Sequence, residues 1–217
     1  MKKIIALLLA AGMVVSVCGC EKGEQKPTDS KTEITSETEK KPETNKGLTL
    51  GTYEEKIYEN SYAKLGFNLP ENFRFYSYEE LKAMNQVSEE MTSEDYFEFA
   101  KTAPSFYDMT ASSSVEMENV NVSLERSDTL PTPEEMKAIL EEAMGTAGYQ
   151  NVKVAPGKAT FDGKEVDVVY VSYDMGTYHF EQLFFPQKAE EHIVTIAVTA
   201  SEKDRLQALL DCFYQTK

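Results

Sequence analysis

Cysteine is scarce in this sequence. Only Cys18, Cys20 and Cys212 occur in 217 residues; the first falls in a segment read below as a leader and the second is read as a thioether, so a disulfide framework is excluded and packing must hold the core. Histidine is scarcer still, with His179 and His192 alone. Neither stands in H-E-x-x-H, and there is no G-x-S-x-G, no glycine-rich phosphate loop and no cysteine pair at metal spacing. The expectation is a non-enzymatic chain without metal or cofactor. Basic residues are also in deficit, 22 Lys and Arg against 37 Asp and Glu for a net charge of -15. That balance makes nucleic acid and anionic lipid surfaces poor partners, and leaves solubility or cationic partners as the meaning of the charge.

A long apolar run is missing too. The stretch from Ile4 to Val17, preceded by Lys2 and Lys3, falls short of the roughly 20 residues that a bilayer-spanning helix needs. The order of charged, apolar and small residues is that of a secretory signal. Val17-Cys18-Gly19-Cys20 then resembles the lipobox of bacterial lipoproteins, with small Gly19 before Cys20 and branched Val17 before Cys18. The resemblance implies that residues 1–19 are removed and that Cys20 becomes an acylated N-terminus. The partner it implies is membrane lipid, and the location is the extracytoplasmic face of the cell membrane. Two or more acyl chains, at ~0.8 kcal/mol per buried CH₂, hold a protein far more firmly than one.

Residues 20–46 follow as a tether. From Glu21 onward the tether is almost wholly Glu, Lys, Thr, Ser, Pro and Gln, with Ile34 the one large apolar side chain and no aromatic. Nothing in it offsets the entropy of ordering, so disorder is expected. Every tyrosine and phenylalanine lies beyond residue 50. The change of composition places a single globular domain at 47–217, an ordinary size for one core.

Within that domain the periods are mixed. "TYEEKIYENSYAKLGFNLP" predicts two strands about Glu59-Asn60. Ser77 with Glu80 predicts a capped helix, and Thr92 or Ser93 caps a second one presenting Tyr96, Phe99, Ala100 and Ala103 on one face. "FYDMTASSS" and "VNVSLER" predict a hairpin turning near Glu118-Asn119. Thr132-Pro133-Glu134-Glu135 opens a helix with Met136, Ile139, Leu140, Ala143, Met144 and Ala147 on one face and a stop at Gly148. Strand-like runs follow, with hairpin turns at Asp162-Gly163 and Met175-Gly176. "HIVTIAVTA" is apolar on both faces, as a covered central strand should be. Ser201 and Asp204 are expected to cap a last helix, 201–215, burying Leu206, Leu209, Leu210 and Phe213. The pattern predicts an α+β fold, an antiparallel sheet with helices on both faces in an α/β/α sandwich.

"YENSYAKLGFNLPENFRFYSYEEL", "YDMTA", "PTPEEMKAIL" and "IVTIAVTASEKDRLQALLDCF" together resemble the PsbP-like family, and more narrowly small surface lipoproteins of Gram-positive bacteria with that domain. The resemblance covers residues 51–217 but its motifs are structural and carry no catalytic residue. It implies an accessory or docking domain with an envelope or secreted protein as partner.

Candidate binding residues are few. Cys212 flanks an apolar helix face and reads as a small core residue, and Glu89-Glu90, Glu141-Glu142 and Glu190-Glu191 diverge on any helix and read as solvated. Asp108, Glu116 and Glu118 fall near a strand and turn without calcium-loop spacing. "YVSYDMGTYHFEQLFF" is the one aromatic segment that suggests a site. A turn at Met175-Gly176 sets Tyr173 opposite Tyr178 and Ser172 opposite His179, an aromatic end for a ligand or partner. Two functions remain open, a tethered protein-docking domain and a lipoprotein binding a small molecule or metal ion. A deep pocket lined by Tyr and Phe with converging polar groups favours the second. A flat apolar patch favours the first.

Overall fold

A computed structural model describes residues 47–113 and 115–217. The expected leader, Cys20 and the tether lie outside the described residues. The architecture corrects the expected α/β/α sandwich: 46% of the described residues are strand and 23% helix, and two antiparallel sheets carry the fold. The smaller sheet joins β1 (Thr52–Glu54), β2 (Ile57–Asn60), β3 (Leu65–Asn68) and β11 (Phe213–Gln215), in that order. The larger runs β4 (Phe73–Phe75), β5 (Ser105–Ser113), β6 (Asn119–Arg126), β10 (His192–Ala200), β9 (Tyr178–Ala189), β8 (Lys164–Met175) and β7 (Gln150–Phe161). One face of the large sheet packs on the small sheet, where helix layers were expected. Tyr58, Leu65 and Phe67 of the small sheet share one core with Met109, Val122 and Ile196 of the large.

Among the described residues four helices fit around these sheets. Helix α1 (Tyr78–Met84) and α2 (Ser93–Thr102) lie beside β5; α1 opens on the predicted capping box of Ser77 with Glu80, and α2 on Thr92, one of the two caps expected, which forms a box with Asp95. Helix α3 (Pro133–Thr146) starts at Thr132, whose side chain accepts from Glu135 N, and ends where Gly148 takes φ +81°. Its Met136, Leu140 and Met144, each four apart, are buried against Val169, Val171, Tyr173 and Phe184 on the second face of the large sheet. Helix α4 (Lys203–Leu210) buries Leu206, Leu209 and Leu210 in the core between the sheets.

Three local expectations need correction. The first segment makes three strands, because Glu55 and Lys64 adopt positive φ and turn the chain twice. The last helix stops at Leu210, and Phe213 belongs to β11, paired with Phe67 of β3. Ser201 and Asp204 do not cap it, since the N-cap is Glu202 and no side chain closes it. What fixes that helix is Arg205, whose guanidinium donates to both oxygens of buried Glu118 at 2.8 and 2.9 Å. By contrast Asp162-Gly163, at φ +48° and +73°, forms the predicted type I′ turn, and β10 lies between β6 and β9 as a central strand.

A bulge in β5 links the two sheets. The register shifts between Tyr107 and Met109, so Phe106 and Met109 both reach the inter-sheet core and Asp108 is carried with them. Its carboxylate accepts from Tyr58 Oη at 2.6 Å, Asn60 Nδ2 at 2.7 Å and the Gly51 N–H at 2.9 Å. Gly51 has to be glycine, because a Cβ there would sit 2.0 Å from the Tyr58 ring.

Candidate functional site

The predicted aromatic end does not assemble as expected. Gly176, at φ +62°, is the first turn residue and Thr177 the second, the residue order of a type II′ turn. The turn is therefore one residue on from the expected one and each cross-strand partner is shifted by two: Met175 faces Tyr178, Asp174 faces His179, and Tyr173 faces Phe180. Tyr173 is 1% exposed, stacked 5.4 Å from Phe180 beneath α3, and burial raises its phenol. Tyr178 is 52% exposed at the hairpin tip. His179 points to the other side, with Nδ1 2.7 Å from Asp174 and Nε2 3.2 Å from Glu181. The Asp174 hydrogen bond, then that of Glu181, holds its imidazole above the ordinary value. The three residues form no common pocket.

The other sequence candidates also separate. Cys212 is half-buried with Sγ 3.5 Å from the Ala208 carbonyl, and burial pushes its thiol up. Buried His192 holds its Nδ1 2.8 Å from Tyr62 Oη, and desolvation leads the causes that lower its imidazole. Cys212 and histidine do not pair. Asp108 closes the inter-sheet core, whereas Glu116 and Glu118 converge on Arg205.

The structure instead assembles a groove that sequence reasoning missed. On the second face of the large sheet, α3 packs over β7, β8 and β9 and leaves the middle strands partly open. Antiparallel register stacks three rows there: Glu125 beside Ile193, Ser123 beside Thr195 and Pro186, and Asn121 beside Ala197 and Phe184. Tyr107 stands opposite Ser123 on the far side. Pro131, Met136 and Leu140 form the facing apolar wall. The enclosed volume is about 40 Å³, room for roughly three waters at ~10–15 Å³ each. A second cleft of about 240 Å³ under Leu130 and Pro133 shares Pro131, Met136 and Pro186 with it.

Most polar groups on this floor are already engaged. Thr110 Oγ1 donates to Asn121 Oδ1 at 2.9 Å, and Asn121 Nδ2 donates to Asn119 at 3.1 Å. Gln182 Nε2 donates to Thr199 Oγ1 at 2.8 Å. Two acceptors are exceptions, Gln182 Oε1, buried without a partner among the described residues, and the carboxylate of Glu125. Glu125 is 8% exposed, and burial alone pushes its carboxyl up to about 7, with no hydrogen-bond or charge partner among the described residues contributing. A nearly buried acceptor without a donor is costly, and such groups concentrate where ligands bind.

The residue pattern hides this groove. Asn121, Ser123 and Glu125 alternate with Val120, Val122 and Leu124, the pattern of a strand with one face in water. Burial of both sets appears only in the fold, where Pro131 and the Met136 and Leu140 side of α3 face the polar row.

No family model matches the chain, and no curated protein matches it. Among solved structures it is similar to the crystal structure of LpqN, involved in cell envelope biogenesis of Mycobacterium tuberculosis. The identity is 13% and the TM-score 0.35, over 70% of this chain and 83% of that one. The resemblance to PsbP-like domains and Gram-positive surface lipoproteins gains no support from these comparisons.

Proposed function

We propose that this chain is a membrane-anchored extracytoplasmic lipoprotein whose domain is a non-enzymatic accessory binding module, with the groove between β6, β10 and α3 as its ligand site. One observation carries the reading: Glu125 lines a concave site with one apolar and one polar wall and has no partner among the described residues. Small-ligand sites are typically apolar concavities with a few polar groups that fix orientation. Support for a protein-docking surface is weaker, because the exposed apolar side chains Ile57, Val115, Leu130 and Tyr178 lie on separate elements. The anchor follows from the Cys20 motif.

Hydrogen exchange on the full chain in lipid nanodiscs tests the site. Incubation with a library of small amphipathic molecules should slow exchange in β6, β10 and α3. Protection confined to the 176–181 tip or to the small sheet, with none around Glu125, overturns the assignment.

A further inference from the structure

Resting on that reading of the groove, we infer that its ligand is a small organic ammonium compound, its N–H donors on the Glu125 carboxylate and a compact apolar body against Met136, Leu140 and Phe184. The chemistry follows from what the walls lack. Asn121 has its carbonyl and its amide nitrogen occupied by Thr110 and Asn119, and Ser123 beside it is short. The polar wall thus leaves two acceptors, the Glu125 carboxylate and Gln182 Oε1, without a donor among the described residues.

An anionic ligand would place like charges together in a poorly hydrated site, and a neutral apolar one would leave the carboxylate desolvated and unpaired. An ammonium supplies both charge and donors, and charge-assisted hydrogen bonds are the stronger kind. The excess of 37 acidic over 22 basic residues adds a long-range field that draws cations to the domain. Against the apolar wall of Pro131, Met136, Leu140 and Phe184 the enclosed volume takes only a short alkyl segment. Anything larger continues into the cleft behind Pro131 and Met136, where Asp167 is a second acidic group.

The charged group on the same row as Glu125 is Lys188 of β9, and its Nζ donates to the Ser127 carbonyl at 2.6 Å. On the neighbouring strands β5 and β10 the residues paired with Glu125, Ser105 and Ile193, are uncharged, and the wall from α3 presents Met136 and Leu140. Arg126 is turned to Glu191 and the Lys101 carbonyl. Pairing an incoming ammonium therefore falls to Glu125.

Calorimetric titration of the full chain in nanodiscs, at about pH 8 where carboxylates are ionised, decides the matter with three probes of one shape: benzylamine, benzyl alcohol and benzoate. Benzylamine should bind about tenfold more tightly than benzyl alcohol, as a charge-assisted bond implies, and benzoate should not bind. Glu125→Gln should remove the preference, bringing the amine to the affinity of benzyl alcohol. Wild-type protein gives a second readout that needs no variant: amine affinity should fall as pH drops below about 7 and Glu125 protonates, while alcohol affinity stays level. Equal affinity for amine and alcohol, or an amine affinity indifferent to pH, overturns the ammonium inference while the groove stands. Failure of all three probes to bind overturns the groove assignment and the inference with it.

Discussion

Tyr58 Oη donates to Asp108 Oδ2 across 2.6 Å, and both side chains are buried between the two sheets. One belongs to β2 of the small sheet and the other to the bulge of β5 in the large, so a single contact registers one sheet on the other. Desolvation leads the causes that raise Asp108, and the hydrogen bonds from Tyr58, Asn60 and Gly51 oppose it. Tyr58→Phe removes a donor to a buried carboxylate and should cost about 1.5–3 kcal/mol in denaturant unfolding. A loss below ~0.5 kcal/mol, the scale of an ordinary surface change, would show that the sheets hold together without this contact.

Glu125 makes stability depend on pH in a definite direction. Its carboxyl is raised to about 7 in the fold, above the ~4.3 of an unfolded chain. Between those values the native state binds more protons than the unfolded state, so this group's contribution makes stability fall as pH rises through the window and level off above it. Unfolding midpoints followed from about pH 4 to pH 8 should show less of this decline in Glu125→Gln. Parallel curves for the two proteins would mean that Glu125 is not desolvated.

Leu140 is fully buried on the sheet-facing side of α3, and Leu209 nearly so on the core side of α4. Replacing either by Ala should cost about 2–5 kcal/mol. The two differ in a second readout: Leu140→Ala enlarges the groove and should change the affinity of a groove ligand, whereas Leu209→Ala should not. Equal effects on binding would place the ligand elsewhere.

The lipobox resemblance yields a test of the anchor. Cys20→Ala should abolish incorporation of labelled fatty acid and release the protein from the membrane, while Cys18→Ala should leave both intact. An unmodified N-terminal peptide downstream of Cys20, or acyl groups on Cys18, would remove the basis for a membrane-surface role.

Local chemistry was legible in the sequence where a few neighbouring residues decide the outcome. The Ser77, Thr92 and Thr132 caps, the Asp162-Gly163 turn and the central "HIVTIAVTA" strand each depend on such short-range signals. Layering was not legible, because three-residue strands such as β1, β4 and β11 carry too few alternations to stand out. Phe213 at helical spacing from Leu206 and Leu209 extends the helical pattern equally well, and only its pairing with Phe67 decides otherwise. The site was hidden for a related reason. Alternation tells which residues share a face of β6 and not whether that face meets water or α3. At the 173–180 hairpin a one-residue shift in the turn exchanged Tyr178 for Phe180 as the partner of Tyr173, and the packing of α3 over that face buried it.

The pairing of β3 with β11 brings together segments far apart in the chain; Tyr214 Oη donates to Glu59 at 2.8 Å from 155 positions away. The small sheet therefore stays incomplete until β11 is in place beside β3. Until then Phe67 lacks its ring contact with Phe213, and the inter-sheet core stays open. Long-range closure of this kind slows folding. During that delay β3 presents an unpaired edge, a template that any other free strand can occupy before β11 does.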